Sequence, residues 1–461
     1  MKSPVGNEER DICNNETMSL IRKLNPIQGL VLSFGLLILT GTILLCIPIS
    51  WENEQHVHLI DALFTAASAV CVTGLVVVDT PGTYSTFGEV VILLLIQFGA
   101  LGIITFASVF LVLMGQEISY QNKLILKESF SLKSPGQVKN LALTIIKLTL
   151  SIEIIGAALL TFFFIPQFGT LKSLYFAVFH SVSAFCNAGF SLFSNNLESF
   201  TGHPGVNITI MLLIILGGLG FPVLVELLSF KKRSVLSIRA RVVLITSAFL
   251  IFGGALILHL FAIRLGGPAY YNLPTQNKIL ACLFQSVTAR TAGFSSINLH
   301  VFPVASLIVL IALMFIGGSP AGTAGGIKTT TFWIILAGAW HYLRGEERIT
   351  AWHKEINLRS FQRAIVLAMA AFILVASCIG ILVYFGSPHH GVLDYAFEAV
   401  SAFGTVGLSL GITPELNSLQ KLIIIALMFI GRVGPISFAY FFVLRRKPSG
   451  VRYPQIEIPI G

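Results

Sequence analysis

The chain has 461 residues, of which 55% are hydrophobic and only 11% are charged, and its mean hydropathy is +0.84. A soluble domain carries about 25% charged residues because its surface must stay hydrated. This composition therefore excludes a soluble globular protein and indicates an integral membrane protein whose first partner is the lipid bilayer. The formal net charge is +9, but in a membrane protein the position of the basic residues matters more than their sum. We therefore do not expect a nucleic acid as a partner.

Eight apolar stretches are long enough to cross a bilayer, which takes about 20 helical residues. In chain order they are residues 27–48, 90–114, 141–165, 206–228, 242–263, 304–340, 364–385 and 422–444. The sixth stretch is too long for one crossing and is interrupted in its middle. We predict eight transmembrane helices.

The basic residues predict the orientation of these crossings. Of the 30 Lys and Arg residues, 22 fall in the first 26 residues, in three alternate connections and in the C-terminal tail. These segments are residues 1–26, 115–140, 229–241, 341–363 and 445–461. Because Lys and Arg accumulate on the cytoplasmic side, we expect both termini in the cytoplasm.

A short apolar segment, too brief to cross, recurs four times between consecutive spans. The copies are FTAASAVCVTGLVVVD (64–79), FHSVSAFCNAGFSLFS (179–194), FQSVTARTAGFSSIN (284–298) and FEAVSAFGTVGLSLG (397–411). Each begins with Phe and a polar residue and reaches a glycine, and the third copy is one residue shorter between the two. Self-similarity at this period indicates a repeated structural unit. The predicted fold is an all-α membrane protein with four parallel helix–pore-loop–helix repeats around a central pore, in which four re-entrant half-helices accompany the eight transmembrane helices. The repeats are residues 27–114, 141–228, 241–340 and 364–444, with cytoplasmic segments at 1–26 and 445–461.

The half-helices would point their C-terminal ends into the membrane. Such an end carries about half a negative charge on its unpaired carbonyl groups, so four converging ends favour a cation. Rings of backbone carbonyls are also how a potassium filter replaces the hydration shell of the ion. We name the predicted filter strands the four glycine segments. They are Val70, Cys71, Val72, Thr73 and Gly74; Phe185, Cys186, Asn187, Ala188 and Gly189; Ala289, Arg290, Thr291, Ala292 and Gly293; and Phe403, Gly404, Thr405, Val406 and Gly407. Cys71 and Cys186 are expected to pack behind the filter rather than to bind a metal.

At this point the chain resembles the potassium-translocating subunits of the Ktr/Trk/HKT superfamily, in particular the bacterial Ktr membrane subunit. The resemblance rests on the four glycine segments, on SAFGTVGLSLGITPEL (401–416), on IGRVGPISF (430–438) and on the RYP tail (452–454). It implies a K+ uptake protein of the bacterial cell membrane, because a Ser at the first filter glycine is associated with sodium selectivity in that family and Gly74 stands there. It also implies a homodimer seated on a cytosolic ring of nucleotide-binding regulatory subunits. Sodium as an activating or coupled ion stays open.

The interrupted sixth stretch contains GGSPAGTAGGIKTTT at residues 317–331, which we name the third-repeat loop. A non-helical segment at membrane depth must line a cavity or be buried in protein, so we predict a flexible plug below the filter; a static break needed for packing is the alternative. The repeat register places Arg432 at the depth where this loop begins, and there a guanidinium can bind loop carbonyls and oppose a cation. An Arg paired with a buried acid is the competing interpretation. The predicted gate residues are Gly317, Gly318, Gly322, Gly325, Gly326, Lys328 and Arg432; in the resembling family the loop and the arginine form the intramembrane gate.

For several other charged residues we predict mainly structural roles. Asp61 is predicted to cap the first half-helix, Lys147 and Glu153 to pair between helices, and Arg290 to point away from the axis and brace its strand. Glu398, early in the fourth half-helix, either raises cation occupancy or stabilises the helix start.

Two other function classes, a secondary carrier and an intramembrane enzyme, fit the sequence less well. A secondary carrier with broken helices normally shows a twofold repeat, whereas four copies occur here. An intramembrane enzyme should cluster His, Asp, Glu or Ser inside its spans, whereas His180 and His259 stand apart. We therefore predict a transport protein, not an enzyme.

Overall fold

Helices make up most of the computed structural model, which describes residues 26–52, 57–102, 138–229, 236–346 and 348–434. Within these residues each of the four copies contains a leading helix, a short helix that ends at the glycine segment, and a trailing helix. The leading helices are Pro26–Cys46, Val138–Phe168, Ile238–Leu265 and Leu358–Tyr384. The short helices are Leu59–Val70, Thr170–Phe185, Thr275–Thr288 and Val392–Gly404. The trailing helices are Thr86–Leu101, Pro204–Gly218, Val304–Phe315 and Ser418–Val433.

Smaller elements connect these helices. Phe221–Leu228 and Thr329–Leu343 follow the second and third trailing helices, and Thr80–Thr83 and Pro268–Tyr271 are single helical turns. The described residues also contain four 3-10 turns, Pro48–Ser50, Glu198–Phe200, Leu299–Val301 and Thr413–Glu415. One antiparallel hairpin pairs Thr350–Ala351 with Lys354–Glu355. It follows Thr329–Leu343, and its turn residue Trp352 stacks on Trp333 of that helix with ring centroids 6.0 Å apart.

Some predicted segments lie outside the described residues. They are residues 1–25, 103–137, 230–235 and 435–461, which include the end of the first predicted repeat, most of three basic segments and the RYP tail.

Three described helices are long and apolar enough to cross a membrane: Leu143–Phe168, Ile238–Leu265 and Leu358–Tyr384. The pair Pro204–Gly218 and Phe221–Leu228 makes a fourth if it counts as one span. The leading helices expose large apolar side chains, such as Phe162, Phe252 and Phe372, each about two-thirds exposed. By contrast, the phenylalanine that begins each recurring sequence segment lies inside its short helix and is at most 1% exposed. A protein with buried short helices and an apolar exterior is suited to a hydrocarbon solvent.

The four copies pack in cyclic order. Each trailing helix contacts the short helix of the next copy, and the fourth trailing helix contacts the short helix of the first copy. At this closing contact Lys421 Nζ lies 2.6 Å from Asp61 Oδ1, although 360 residues separate the two. The prediction that Asp61 caps its helix is wrong, because the helix begins at Leu59 after His58. Asp61 lies inside the first turn, where its carboxylate is free to reach Lys421.

The predicted crossing over 206–228 is not one continuous helix. The chain bends by 105° between Gly218 and Phe221, because Gly220 has a φ of +87°, a conformation that glycine adopts without steric cost. The first and fourth trailing helices end at the corresponding point, before Gly102 (φ +77°) and Gly434 (φ +94°). A G-x-x-G pattern therefore marks the helix end in three copies, while the third copy has the loop at this place.

Candidate ion pathway

The glycine segments begin where the short helices close. In three copies the N–H of the residue before the glycine donates to a carbonyl five residues back, as from Thr73 to Ser68 at 2.8 Å. In the third copy the corresponding bond, from Ala292 to Thr288 at 2.9 Å, spans only four residues. The tighter closing turn of the third copy therefore compensates for its one missing residue. As a result, Gly293 stays in register with the glycines of the other three copies.

The backbone of the glycine segments repeats one conformation four times. The glycine of each segment has a positive φ, and so does the residue two positions before it. These residues are Val72, Asn187, Thr291 and Thr405, with φ between +51° and +74°. A β-branched residue in this region costs on the order of 1–3 kcal/mol and persists only where the surrounding structure enforces it. Its recurrence at equivalent positions indicates that the fold imposes this backbone shape.

The four glycines lie side by side in a ring. Each adjoins the carbonyl oxygen of the residue that precedes the next glycine, so closely that a Cβ would collide with it. The distances from such a Cβ are 2.3 Å from Gly74 to Ala188 O, 2.7 Å from Gly189 to Ala292 O, 2.5 Å from Gly293 to Val406 O, and 2.1 Å from Gly407 to Thr73 O. The last contact returns to the first segment. The four segments therefore surround one axis, with backbone oxygens between adjacent glycines.

A cavity of about 370 Å³ opens on one side of this ring. All four glycines line it, together with the carboxylates of Asp79 and Glu198 and a set of hydroxyl and amide groups. Asp79 Oδ2 accepts a hydrogen bond from Ser194 Oγ at 2.8 Å, and burial raises the pKa of Glu198. Apart from His300, the ionisable side chains that line the cavity among the described residues are carboxylates, and such a lining suits a hydrated cation.

The third-repeat loop lies on the other side of the ring. Its Thr323 Oγ1 donates to the carbonyl oxygen of Phe185 at 3.3 Å. A Cβ on Gly325 would lie 2.3 Å from Oγ1 of Thr405. The loop therefore contacts the second and fourth glycine segments directly.

The same loop is attached to the second trailing helix at its bend. The N–H groups of Ser319 and Thr323 donate to the carbonyls of Gly218 and Gly217, at 3.0 and 3.4 Å, and the N–H of Phe221 donates to Ala321 O at 3.0 Å. The bend frees the backbone groups at the helix end, and the loop satisfies them. Ile316, directly before the loop, pairs in parallel with Ile327, and Thr329 N donates to Gly318 O at 3.0 Å.

Arg432 joins the loop to the first copy. Its guanidinium donates to the carbonyl of Thr323 in the loop, and to those of Gly99 at 2.5 Å and Ala100 at 3.2 Å at the end of the first trailing helix. These bonds fit the interpretation in which Arg432 binds loop carbonyls, and among the described residues no carboxylate forms an ion pair with it. Lys328 likewise donates to a loop carbonyl, that of Ala324, at 2.7 Å.

The remaining predicted residues are buried around the segments. Cys71 and Cys186 are fully buried, and Cys186 Sγ donates to Gln97 Oε1 at 3.3 Å. Arg290 is 8% exposed, and its Nε has no hydrogen-bond partner among the described residues.

The predicted pair of Lys147 and Glu153 is wrong. Both residues lie on one helix, Val138–Phe168, six positions apart and on different faces. Glu153 instead accepts a hydrogen bond from Gln97 Nε2 at 3.3 Å. Sequence reasoning missed Gln97, as it missed the glycines at the ends of the trailing helices; the repeated G-x-x-G pattern was the available signal for the latter.

Comparisons with known proteins agree with this geometry. The family model of the TrkH cation transport proteins matches residues 14–451. The Ktr system potassium uptake protein B of Bacillus subtilis (strain 168) is 38% identical over 440 residues, covering 95% of this chain and 97% of the relative. The potassium/sodium uptake protein NtpJ of Enterococcus hirae is 37% identical over 444 residues, covering 95% of this chain and 98% of the relative.

The fold is also similar to a solved structure. The crystal structure of the potassium transporter TrkH from Vibrio parahaemolyticus superposes with a TM-score of 0.72 at 18% identity, covering 91% of this chain and 86% of that one. These comparisons confirm a transport protein over the intramembrane enzyme and confirm the predicted resemblance. The chain belongs to the TrkH family of cation transport proteins, which are multi-pass membrane proteins.

Proposed function

We propose that this chain is the ion-translocating subunit of a Ktr-type system, which takes up potassium across the cell membrane through a gated pore. The observation that carries the proposal is the ring of four glycines, with the carbonyl oxygens of Thr73, Ala188, Ala292 and Val406 between them. A ring of backbone oxygens can replace the hydration shell of K+ without a charged side chain. The relatives named as potassium uptake proteins support the choice of ion.

The proposed pore runs along the axis of the ring. The outer cavity with Asp79 and Glu198 would concentrate cations, the four glycine segments would select among them, and the four helix ends would lower the energy of a dehydrated cation. Eight crossings in four parallel repeats, with both termini in the cytoplasm, remain the predicted topology.

Below the ring, the third-repeat loop and Arg432 form the proposed gate. The loop contacts two glycine segments, and the permanent guanidinium adds a positive charge beside the path. Five of the fifteen loop residues are glycine, so few side-chain contacts oppose a rearrangement of the loop, which favours a movable plug over a static break.

Partners follow from the Ktr resemblance. We propose a homodimer on a cytosolic nucleotide-binding regulatory subunit. The basic segment that begins at residue 341 offers a positively charged surface for it, which includes Arg344 stacked on Trp340 at 4.6 Å.

The test is cation uptake into vesicles that contain the purified protein. We expect K+ and Rb+ to enter much faster than Na+, and organic cations of larger radius to be excluded. Equal or faster entry of Na+ would favour the second candidate, a sodium or mixed cation transporter, which is supported by the relative named as a potassium/sodium uptake protein. Saturable exchange of an organic solute would contradict both.

A further inference from the structure

The polar residue that follows the opening phenylalanine of each recurring segment, in 64–79, 179–194, 284–298 and 397–411, lies behind a glycine segment. In chain order the four are Thr65, His180, Gln285 and Glu398. All are at most 1% exposed, so each needs a hydrogen-bond partner inside the protein.

In three copies that partner is a serine two residues beyond the ring glycine. His180 Nε2 lies 3.0 Å from Ser191 Oγ, Gln285 Nε2 lies 2.9 Å from Ser295 Oγ, and Glu398 Oε2 lies 2.8 Å from Ser409 Oγ. The three side chains differ in chemistry, but each bond joins the same two places. In the first copy Val76 stands where the serine would be, and Thr65 instead accepts from Tyr84 OH at 3.2 Å.

Each serine is also engaged with its own strand. Ser191 Oγ accepts from the N–H of Phe193 at 3.0 Å, and Ser409 Oγ accepts from the N–H of Gly411 at 3.0 Å. Ser295 Oγ donates to the carbonyl of Ile297 at 2.5 Å. One hydroxyl therefore ties the outward-going backbone to the body of the short helix, and the ring glycine lies between the two anchoring points.

We infer that these three polar–serine pairs are positioning residues that set the ion selectivity of the ring by fixing the outer ends of the second, third and fourth glycine segments. The inference rests on the proposed function. A carbonyl ring discriminates K+ from Na+ only if its oxygens keep their spacing or resist collapse onto the smaller ion. The pairs supply that resistance behind the segments, and all three serines line the outer cavity.

The fourth pair has an additional property. Glu398 also accepts a hydrogen bond from Thr413 Oγ1, which lies 3.0 Å from Ser409 Oγ. No basic residue forms an ion pair with Glu398 within the described ranges. The only carboxyl group among the three pairs therefore lies behind the cavity mouth, bonded to hydroxyl groups alone.

The experiment replaces Ser295 by Ala and measures the ratio of K+ to Na+ uptake in vesicles, a ratio that does not depend on the amount of folded protein. We expect the ratio to fall about fivefold, as the loss of one neutral hydrogen bond would allow. Ser295→Thr, which keeps the hydroxyl, should restore it. The matched control is Ser296→Ala, since Ser296 is the next residue, is 1% exposed, and its hydroxyl has no hydrogen-bond partner among the described residues.

A double variant tests the pair itself. Gln285→Leu combined with Ser295→Ala should lower the ratio no further than either change alone, because both remove the same bond. If Ser295→Ala does not fold, Ser191→Ala asks the same question in the second segment. A serine variant that takes up K+ with the native ratio overturns the inference and leaves the proposed function standing. A native protein without preference for K+ overturns the proposed function itself, and the inference with it.

Discussion

Gly407 combines the two restrictions that the four ring glycines share, and its approach to the neighbouring segment is the shortest of the four. Its φ is +93°, and a Cβ would lie 2.1 Å from the carbonyl oxygen of Thr73. The first restriction concerns its own backbone, and the second concerns the segment beside it. Gly411, four residues later, has a similar φ of +87° but no atom within 4 Å of a Cβ position. A comparison of substitutions at these two glycines therefore distinguishes the effect of backbone strain from the effect of contact with the neighbouring segment.

We predict that Gly407→Ser lowers the ratio of K+ to Na+ uptake at least tenfold, because the new side chain displaces the Thr73 carbonyl from the ring. Gly411→Ser should leave the ratio within about twofold of the native value and should cost only the ~1 kcal/mol of a strained φ. The measurement is competitive uptake of the two ions by vesicles. Equal ratios in the two variants would show that the ring does not select the ion.

Arg432 places both a positive charge and hydrogen bonds to backbone carbonyls beside the proposed ion path. Arg432→Ala removes the bonds to Thr323, Gly99 and Ala100 together with a positive charge. We expect K+ flux to rise roughly tenfold, equivalent to about 1.4 kcal/mol removed from the barrier. Arg432→Lys keeps the charge but cannot reach three carbonyls with a planar fork, so it should give an intermediate flux. A folded Ala variant with native flux would exclude a gating role.

At the scale of elements, the bend in the second copy explains how a loop can sit below the ring. A continuous helix would leave no free N–H or carbonyl groups at that depth. The bend at Gly220 releases them, and the third-repeat loop binds them at Gly217, Gly218 and Phe221. The loop is thus held mainly by backbone groups of a neighbouring copy.

Gly220→Ala should disturb this attachment. A Cβ there would lie 2.6 Å from the carbonyl oxygen of Pro320, and the residue has a φ of +87°. We predict a displaced loop and a several-fold higher K+ flux in the vesicle assay. Gly102→Ala is the matched control, since Gly102 occupies the same position of the first copy with a φ of +77° and meets no described atom within 4 Å. A higher flux in both variants would point to general destabilisation instead.

The sequence predicted well those elements whose cause is local. The recurrence of Phe, small residues and Gly identified all four short helices, and five glycines in fifteen positions identified the interruption between Phe315 and Thr329. The bend at Gly220 escaped because hydropathy is averaged over a window and is unaffected by one glycine. The partners of Asp61 and Glu153 escaped because they lie on other helices, and a pattern along one chain does not encode which helix faces which. The ring itself could be expected from repetition, but the contact of each glycine with the next carbonyl required the tertiary arrangement.

At the scale of the whole molecule, the cyclic order of the copies must close between the first and the fourth. The pair of Lys421 and Asp61 lies at this junction, with each side chain only 12% exposed. At the same junction the fourth trailing helix packs on the first short helix, and Arg432 donates to carbonyls at the end of the first trailing helix. The ion pair is therefore placed to hold the first and fourth copies together.

We expect Asp61→Asn to lower the free energy of unfolding by about 2 kcal/mol, because the Lys421 ammonium loses its charged hydrogen-bond partner while remaining largely buried. The check is the thermal unfolding midpoint in one detergent. The double exchange Asp61→Lys with Lys421→Asp should recover part of the loss. Glu355→Gln provides the comparison, since its pair with Arg348 spans 3.9 Å and is exposed on both sides, so that little change is expected. An unchanged thermal unfolding midpoint for Asp61→Asn would show that the ion pair does not stabilise the contact between the two copies.

The four quarters of this ring are encoded separately, with Val-Thr-Gly, Asn-Ala-Gly, Thr-Ala-Gly and Thr-Val-Gly at corresponding places. In a channel assembled from four identical subunits, every mutation appears four times. Here one codon alters a single quadrant and leaves three intact, so in the proposed filter evolution and protein engineering can both adjust ion preference one quadrant at a time. A bound ion also meets four unequal walls, so its resting position need not coincide with the geometric centre.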